Sequence, residues 1–147
     1  MVQLSQENRR DLVRNAEAGI VSCIAHSNKG GQTYRLVFTF SGGESVTLQS
    51  DIQGGEEEIG FLVLDPKIYE PDDQSSKSTL LAGTTVSNVQ FYVVDGCDEP
   101  SRIKFALDTG STLSISSDAF PHGIAYEFGE VRVGLAQYDD AEYHLAS

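Results

Sequence analysis

Few residues in this chain have the type and spacing to do chemistry, and an aspartate stands first among them. In FALDTGSTLSIS (residues 105–116), Asp108 occupies an Asp-Thr-Gly-Ser turn between two apolar runs. A carboxylate on such a turn can act as one member of an acid–base pair, taking or giving a proton at the reacting atoms. That chemistry needs a second carboxylate close by, because like charges a few ångströms apart share one proton rather than both ionise. The histidines His26, His122 and His144 are far apart, and none has a His partner at i,i+2 or i,i+4 to hold a metal. His144 with Asp139, Asp140 and Glu142 offers ligands to a divalent cation. An oxygen-rich tail lacks the enforced geometry metals need, so solvated charge is the expectation there. No G-x-S-x-G elbow marks a serine nucleophile, and neither GGQ nor SGGE opens a helix as a phosphate loop must.

The DTGS turn resembles the active-site turn of the pepsin and retropepsin aspartic proteases. That resemblance implies a second aspartate, from an internal repeat or a partner copy. An internal repeat is present and supplies the test. YRLVFTF-SGGE-SVTLQS and SRIKFAL-DTGS-TLSIS superpose without a gap at an offset of 67 residues, matching Arg35 to Arg102, Phe38 to Phe105, Gly43 to Gly110, Ser50 to Ser117 and Asp51 to Asp118. The position matching Asp108 is Ser41, so one carboxylate is missing. A homodimer would restore it, but the retropepsin pattern also requires a flap and a later apolar-apolar-Gly segment, for which Gly110–Ser147 leaves no room. Asp108 is therefore expected to be a turn residue, with Gly110 in the left-handed conformation of a type I turn with a G1 bulge, and Gly43 in the same role. An aspartic-protease-like hydrolase is the least favoured reading.

The elements that must position these residues are mostly strands. Residues 5–18 read as one helix, capped by Ser5 and ended by Gly19, with a thin apolar stripe of Leu12, Val13 and Ala16 that must lie across a sheet. Beyond it the period changes to two. AGIVSCIAH and AGTTVSNVQFYVVDG precede the two hairpins, so each half reads as a three-stranded meander, with IGFLVL and IAYEFGEVRVGLA adding strands. The expected fold is mainly β, an antiparallel sandwich or partly closed barrel built from two related meanders with one short N-terminal helix. The chain reads as a single domain over 1–147. Its parts are a helix at 5–18, a first β repeat at 19–64, a polar linker at 65–79, a second β repeat at 80–136 and an acidic tail at 137–147.

Charge narrows the function classes. The formal net charge is −12, divided as +2 over residues 1–35 and −14 over residues 36–147. Such a surface repels phosphate backbones and anionic lipid, so neither direct nucleic-acid binding nor membrane association is expected. MVQLSQENRRDL has no apolar signal core, and no apolar run reaches the ~18 residues of a membrane helix. Cys23, in an alternating apolar segment, reads as a buried small hydrophobe, and Cys97, in DGCDEP, as an exposed loop thiol. Two isolated cysteines suit a reducing, cytoplasmic compartment. No cofactor is expected.

The C-terminal segment combines aromatics with acids, and Tyr138, Asp139, Asp140, Glu142 and Tyr143 form the candidate partner-binding site. Aromatic anchors ringed by charge suit a protein interface. Core packing accounts for Tyr126 and Phe128, and GGEEE (residues 54–58) offers charge alone. The favoured reading is a small, acidic, non-enzymatic protein-binding module of a bacterial-type cytosol that masks a basic partner. Immunity proteins, which cover basic nuclease toxins, share that physical description. The alternative is a β-barrel that binds a small apolar ligand.

Overall fold

The computed structural model describes residues 2–53, 59–64, 74–120 and 122–146. GGEEE and residues 65–73 of the expected linker lie outside the described residues. In chain order the elements are β1 (Val2–Gln3), α1 (Gln6–Ala18), β2 (Ile20–Asn28), β3 (Thr33–Phe40), β4 (Ser45–Gln53), β5 (Ile59–Leu64) and β6 (Gln74–Thr84). There follow β7 (Val86–Val93), β8 (Arg102–Leu107), β9 (Thr112–Ser117), β10 (Ile124–Phe128), β11 (Val131–Val133), a 3-10 helix (Asp140–Glu142) and β12 (His144–Leu145).

The helix forms where the capping residues place it. Ser5 Oγ accepts from the Asn8 amide at 3.3 Å, and the Gly19 amide closes on the Ala16 carbonyl at 3.0 Å. Leu12 and Ala16 are buried against β7, β2 and β3, while Asp11 and Arg14 pair at 2.9 Å on the solvent side. The helix thus covers one flank of the sheets, and its thin stripe is sufficient for that.

Strands pair into two antiparallel sheets, ordered β1-β5-β4-β3-β2-β6 and β11-β10-β9-β8-β7-β12. They face one another as a sandwich and are not closed into a barrel. Leu36, Phe38, Phe40 and Leu48 point inward from the first sheet, and Ile103, Phe105, Leu107, Leu113 and Ile115 from the second, all buried in one core. The period-two alternation produces this directly, since every second side chain shares a face.

The repeat is visible in the register. Phe40 pairs with Ile20 and Leu107 with Val86, and a bulge follows at Ile20/Ser22 and again at Val86/Asn88. Gly43 and Gly110 hold φ of 91° and 88°, and each donates its amide back across the turn, to Phe40 O at 2.9 Å and Leu107 O at 3.0 Å. A Cβ at either glycine would meet nothing, so the left-handed backbone alone demands glycine there. β2-β3-β4-β5 and β7-β8-β9-β10 are the same four-stranded meander, each flanked by two further edge strands.

Two boundaries differ from expectation. β6 begins at Gln74, inside the segment read as a polar linker at 65–79, and pairs along β2 in the first sheet. The second sheet starts only at Val86, so the first residues of the expected second repeat, 80–84, belong to the first sheet. An edge strand carries polar residues such as Ser76, Lys77 and Ser78 for solubility, and that composition reads as a loop. The second difference is the expected acidic tail, 137–147, whose described residues fold back as a turn of 3-10 helix and an edge strand paired to β7.

Candidate functional site

The C-terminal segment is a hook anchored at both ends. Gln137 begins it, donating its amide to Ser117 O at 3.0 Å while its side-chain carbonyl accepts from the Gly60 amide at 2.8 Å. At the far end His144 and Leu145 pair with Val93 and Tyr92, and the Ala146 amide reaches Phe91 O at 2.8 Å. Between them Tyr143 enters a second small core with Ile59, Phe61, Val63, Val94 and Cys97. Tyr138 is half-buried and meets Tyr143 edge to face, with ring centroids 6.1 Å apart.

Arg102 fixes the middle of the hook. Its side chain is 7% exposed, its Nε donates to Ser116 Oγ at 2.7 Å, and its Nη1 donates to Asp140 Oδ1 at 3.0 Å. The guanidinium carbon stands 3.7 Å from the Tyr143 ring centroid. The Asp140 carboxylate is 93% exposed, so this ion pair is screened and worth about 0–1 kcal/mol, whereas a desolvated cation–π stack reaches about 2 kcal/mol. The stack holds the hook more than the ion pair does. Burial raises the Tyr143 phenol above its ordinary pKa, and the adjacent Arg102 charge opposes that rise.

This geometry sorts the five predicted site residues. Asp139, Asp140 and Glu142 are exposed together on the 3-10 turn, where the Asp139 amide donates to Glu142 Oε2 at 2.9 Å. Asp95, in the turn after β7, adds a fourth exposed carboxylate beside the hook, 3.4 Å from His144 Nε2. Tyr143 is a core residue rather than a surface anchor, because its ring fills the gap between β5 and the turn after β7. The same packing buries Cys97, which was expected to be exposed, and burial raises its thiol pKa. Cys23 is buried in the main core, and its pKa is raised for the same reason. The part played by Arg102 was hidden in the sequence, where it is one member of an alternating strand.

Asp108 lies at the opposite end of β8, fully exposed. Its carboxylate accepts from Thr85 Oγ1 at 2.6 Å and Thr84 Oγ1 at 3.0 Å, and its amide donates to Thr85 O at 3.0 Å. The hydroxyls, Thr85 first, lower its pKa below the ordinary carboxylate value. Ser41 makes the equivalent backbone bond, to Gly19 O at 2.9 Å. In both repeats this residue ties the hairpin tip to the start of its meander, and in the second the tie carries a charge.

Among the described residues, two larger concavities lie on the outer surface. One, of about 420 Å³, opens on the outward face of β7–β10, with Gln90, Lys104, Ser114 and Glu127 across its floor and Tyr92, Arg102 and Asp140 toward the hook. The other, of about 360 Å³, runs between α1 and β7 and is lined by Arg9, Arg10, Val13 and Phe91. Among the described residues no three His, Cys, Asp or Glu side chains gather to hold a metal ion, and no helix is long and apolar enough to cross a membrane. Against known proteins, no family model matches the chain, and no curated protein or solved structure matches it either.

Proposed function

We propose that this chain is a small, non-enzymatic, cytoplasmic binding module that docks and masks a basic protein partner through the acidic hook. The observation that carries the reading is the mounting of the hook. Asp139, Asp140 and Glu142 project from a short turn whose neighbours Tyr143 and Arg102 are buried, so the charges stand on a fixed base. Carboxylates held in place lose little conformational freedom on binding, while a loose acidic tail would lose much more. The net charge of −12 then steers a basic partner toward the surface over a Debye length of roughly 10 Å at 0.1 M salt.

Tyr138 supplies the half-buried aromatic edge beside these acids, and it replaces the pair of tyrosine anchors read from the sequence. The test is affinity capture from the source organism's lysate at low and high salt, using the wild-type chain and the double variant Asp139→Lys/Glu142→Lys. A basic protein captured at low salt, released at high salt and lost in the variant supports the reading. A co-purifying small apolar molecule, with no protein, would contradict the reading; the sheets form an open sandwich rather than the barrel expected for such a ligand.

A further inference from the structure

The two repeats share strand order and hairpin register, so positions on one outer sheet face have counterparts on the other. The register supplies the correspondence. Ile24 pairs with Val37 in the first sheet, and Gln90 pairs with Lys104 in the second. Val37 corresponds to Lys104 at the repeat offset, Thr47 to Ser114, and Thr39 to Ala106. The first sheet thus presents the row Ile24–Val37–Thr47, and the second presents Gln90–Lys104–Ser114, continued by Glu127 and Arg132. Stability does not require Gln90 and Lys104, because the first half carries the aliphatic Ile24 and Val37 at those two sites, while Thr47 and Ser114 are alike.

The polar row also forms the floor of the 420 Å³ basin, walled on one side by the hook through Asp140. Its chemistry is specific. Asn88 and Gln90 offer amides, Thr112 and Ser114 hydroxyls, Lys104 an ammonium and Glu127 a carboxylate. Each amide or hydroxyl both donates and accepts, and Tyr92 adds an aromatic wall with its hydroxyl donated to Gln90 Oε1 at 3.1 Å. The formal charges within the basin balance, Lys104 and Arg102 against Glu127 and Asp140. Arg102 is met by Asp140 at 3.0 Å, Glu127 lies 3.8 Å from Arg132, and Lys104 stands 5.2 Å over the Tyr92 ring. Along the floor, backbone donors and acceptors are engaged in the strand ladders, so recognition there is by side chains.

We propose that this basin binds a short, uncharged carbohydrate. Sugar hydroxyls are donor and acceptor at once, as this lining requires, and one face of a pyranose ring presents C–H groups suited to an aromatic wall. The balanced charge disfavours a phosphorylated or carboxylated ligand, which would leave Glu127 and Asp140 opposed to it. A volume of about 420 Å³ lies within the range of small-ligand pockets. Of the acids that face a protein partner only Asp140 borders the basin, while its floor lies on β7–β10, so the Gln90/Lys104 variant tests this site without altering the docking acids.

The experiment is an amide NMR titration of the full chain with maltotriose, cellotriose, chitotriose and xylotriose, and with glucuronate and inorganic phosphate. At least one neutral trisaccharide should shift, saturably, the backbone amides of β7, β8 and β9 and the side-chain amides of Asn88 and Gln90. The double variant Gln90→Ile/Lys104→Val installs the residues of the first repeat and keeps the fold. It should weaken that binding at least about tenfold, which is 1.4 kcal/mol. Absence of saturable shifts with all four trisaccharides overturns the proposal. So does binding confined to glucuronate or phosphate, or trisaccharide binding that the double variant leaves unchanged.

Discussion

The rings of Phe38 and Phe105, equivalent residues of the two repeats, lie 5.4 Å apart at their centroids in the centre of the core. Ser50 and Ser117, also equivalent, share a buried hydroxyl–hydroxyl hydrogen bond of 3.3 Å. Equivalent residues of the two repeats therefore meet across the sandwich, from β3 to β8 and from β4 to β9.

Truncation of either phenylalanine to Ala is expected to cost about 3–5 kcal/mol, since both rings are buried and leave a cavity. Because the rings touch, the double variant should depart from additivity by at least about 0.5 kcal/mol. Urea denaturation of the two single variants and the double variant measures this. Strict additivity would mean that the rings do not share a cavity.

Asp108 should titrate below the ordinary carboxylate range, and Thr85→Val should move its pKa upward, because the Thr85 hydroxyl is the main cause of the depression. A folded-state pKa below the unfolded value contributes stability above the unfolded pKa of about 3.9, and that contribution disappears as the pH falls through the folded value. Carbon-detected NMR of the Asp108 carboxyl reads both effects. Asp108→Asn should alter stability little, since the amide can accept from one threonine hydroxyl and donate to the other. A proteolytic activity abolished by Asp108→Asn would reinstate the catalytic reading of the turn.

Tyr143→Phe should preserve the hook, whereas Tyr143→Ala should cost about 3–5 kcal/mol through loss of the second core. Arg102→Met should leave the main core intact and loosen the hook locally. Hydrogen exchange at the Ala146 amide, bonded to Phe91 O, should then accelerate while the Phe38 amide stays protected. Equal acceleration at both amides would show that Arg102 supports the whole fold rather than the hook.

The architecture was legible where periodicity is enforced by burial. The two meanders and the equivalence of Phe38 and Phe105 follow from period-two alternation and glycine turns, and the helix from its Ser5 and Gly19 caps and helical apolar stripe. The edge strand β6 was not legible, because an edge needs polar residues and so imitates a linker. The C-terminal hook was read as a tail because its acids dominate its composition. The residues that hold it, Arg102 and Ser116, lie in strands where nothing marks them. Tyr143 and Cys97 bury each other across a long sequence separation, and no local pattern signals that contact. The polar basin was legible in principle, in the replacement of Ile24 and Val37 by Gln90 and Lys104, once the repeats are aligned by strand register rather than by a fixed offset.

Docking of a basic partner on the acidic hook is tested most directly by the association rate of the captured partner as a function of ionic strength. The comparison is between the wild type and Asp139→Lys/Glu142→Lys, two exposed positions outside the Arg102–Tyr143 stack, with Asp139→Asn/Glu142→Gln beside it, which removes the charge and keeps an acceptor for the Asp139 amide. Deleting the segment would be a poor test, since it would open the second core as well as remove charge. Electrostatic steering predicts a wild-type rate that falls steeply as salt shortens the Debye length toward roughly 3 Å at 1 M, and a slower rate with a shallower salt dependence in the charge-reversed variant, whose net charge is −12 + 4 = −8. A wild-type rate indifferent to salt, or a variant that associates as fast as the wild type, would contradict the assignment of the hook as the docking surface.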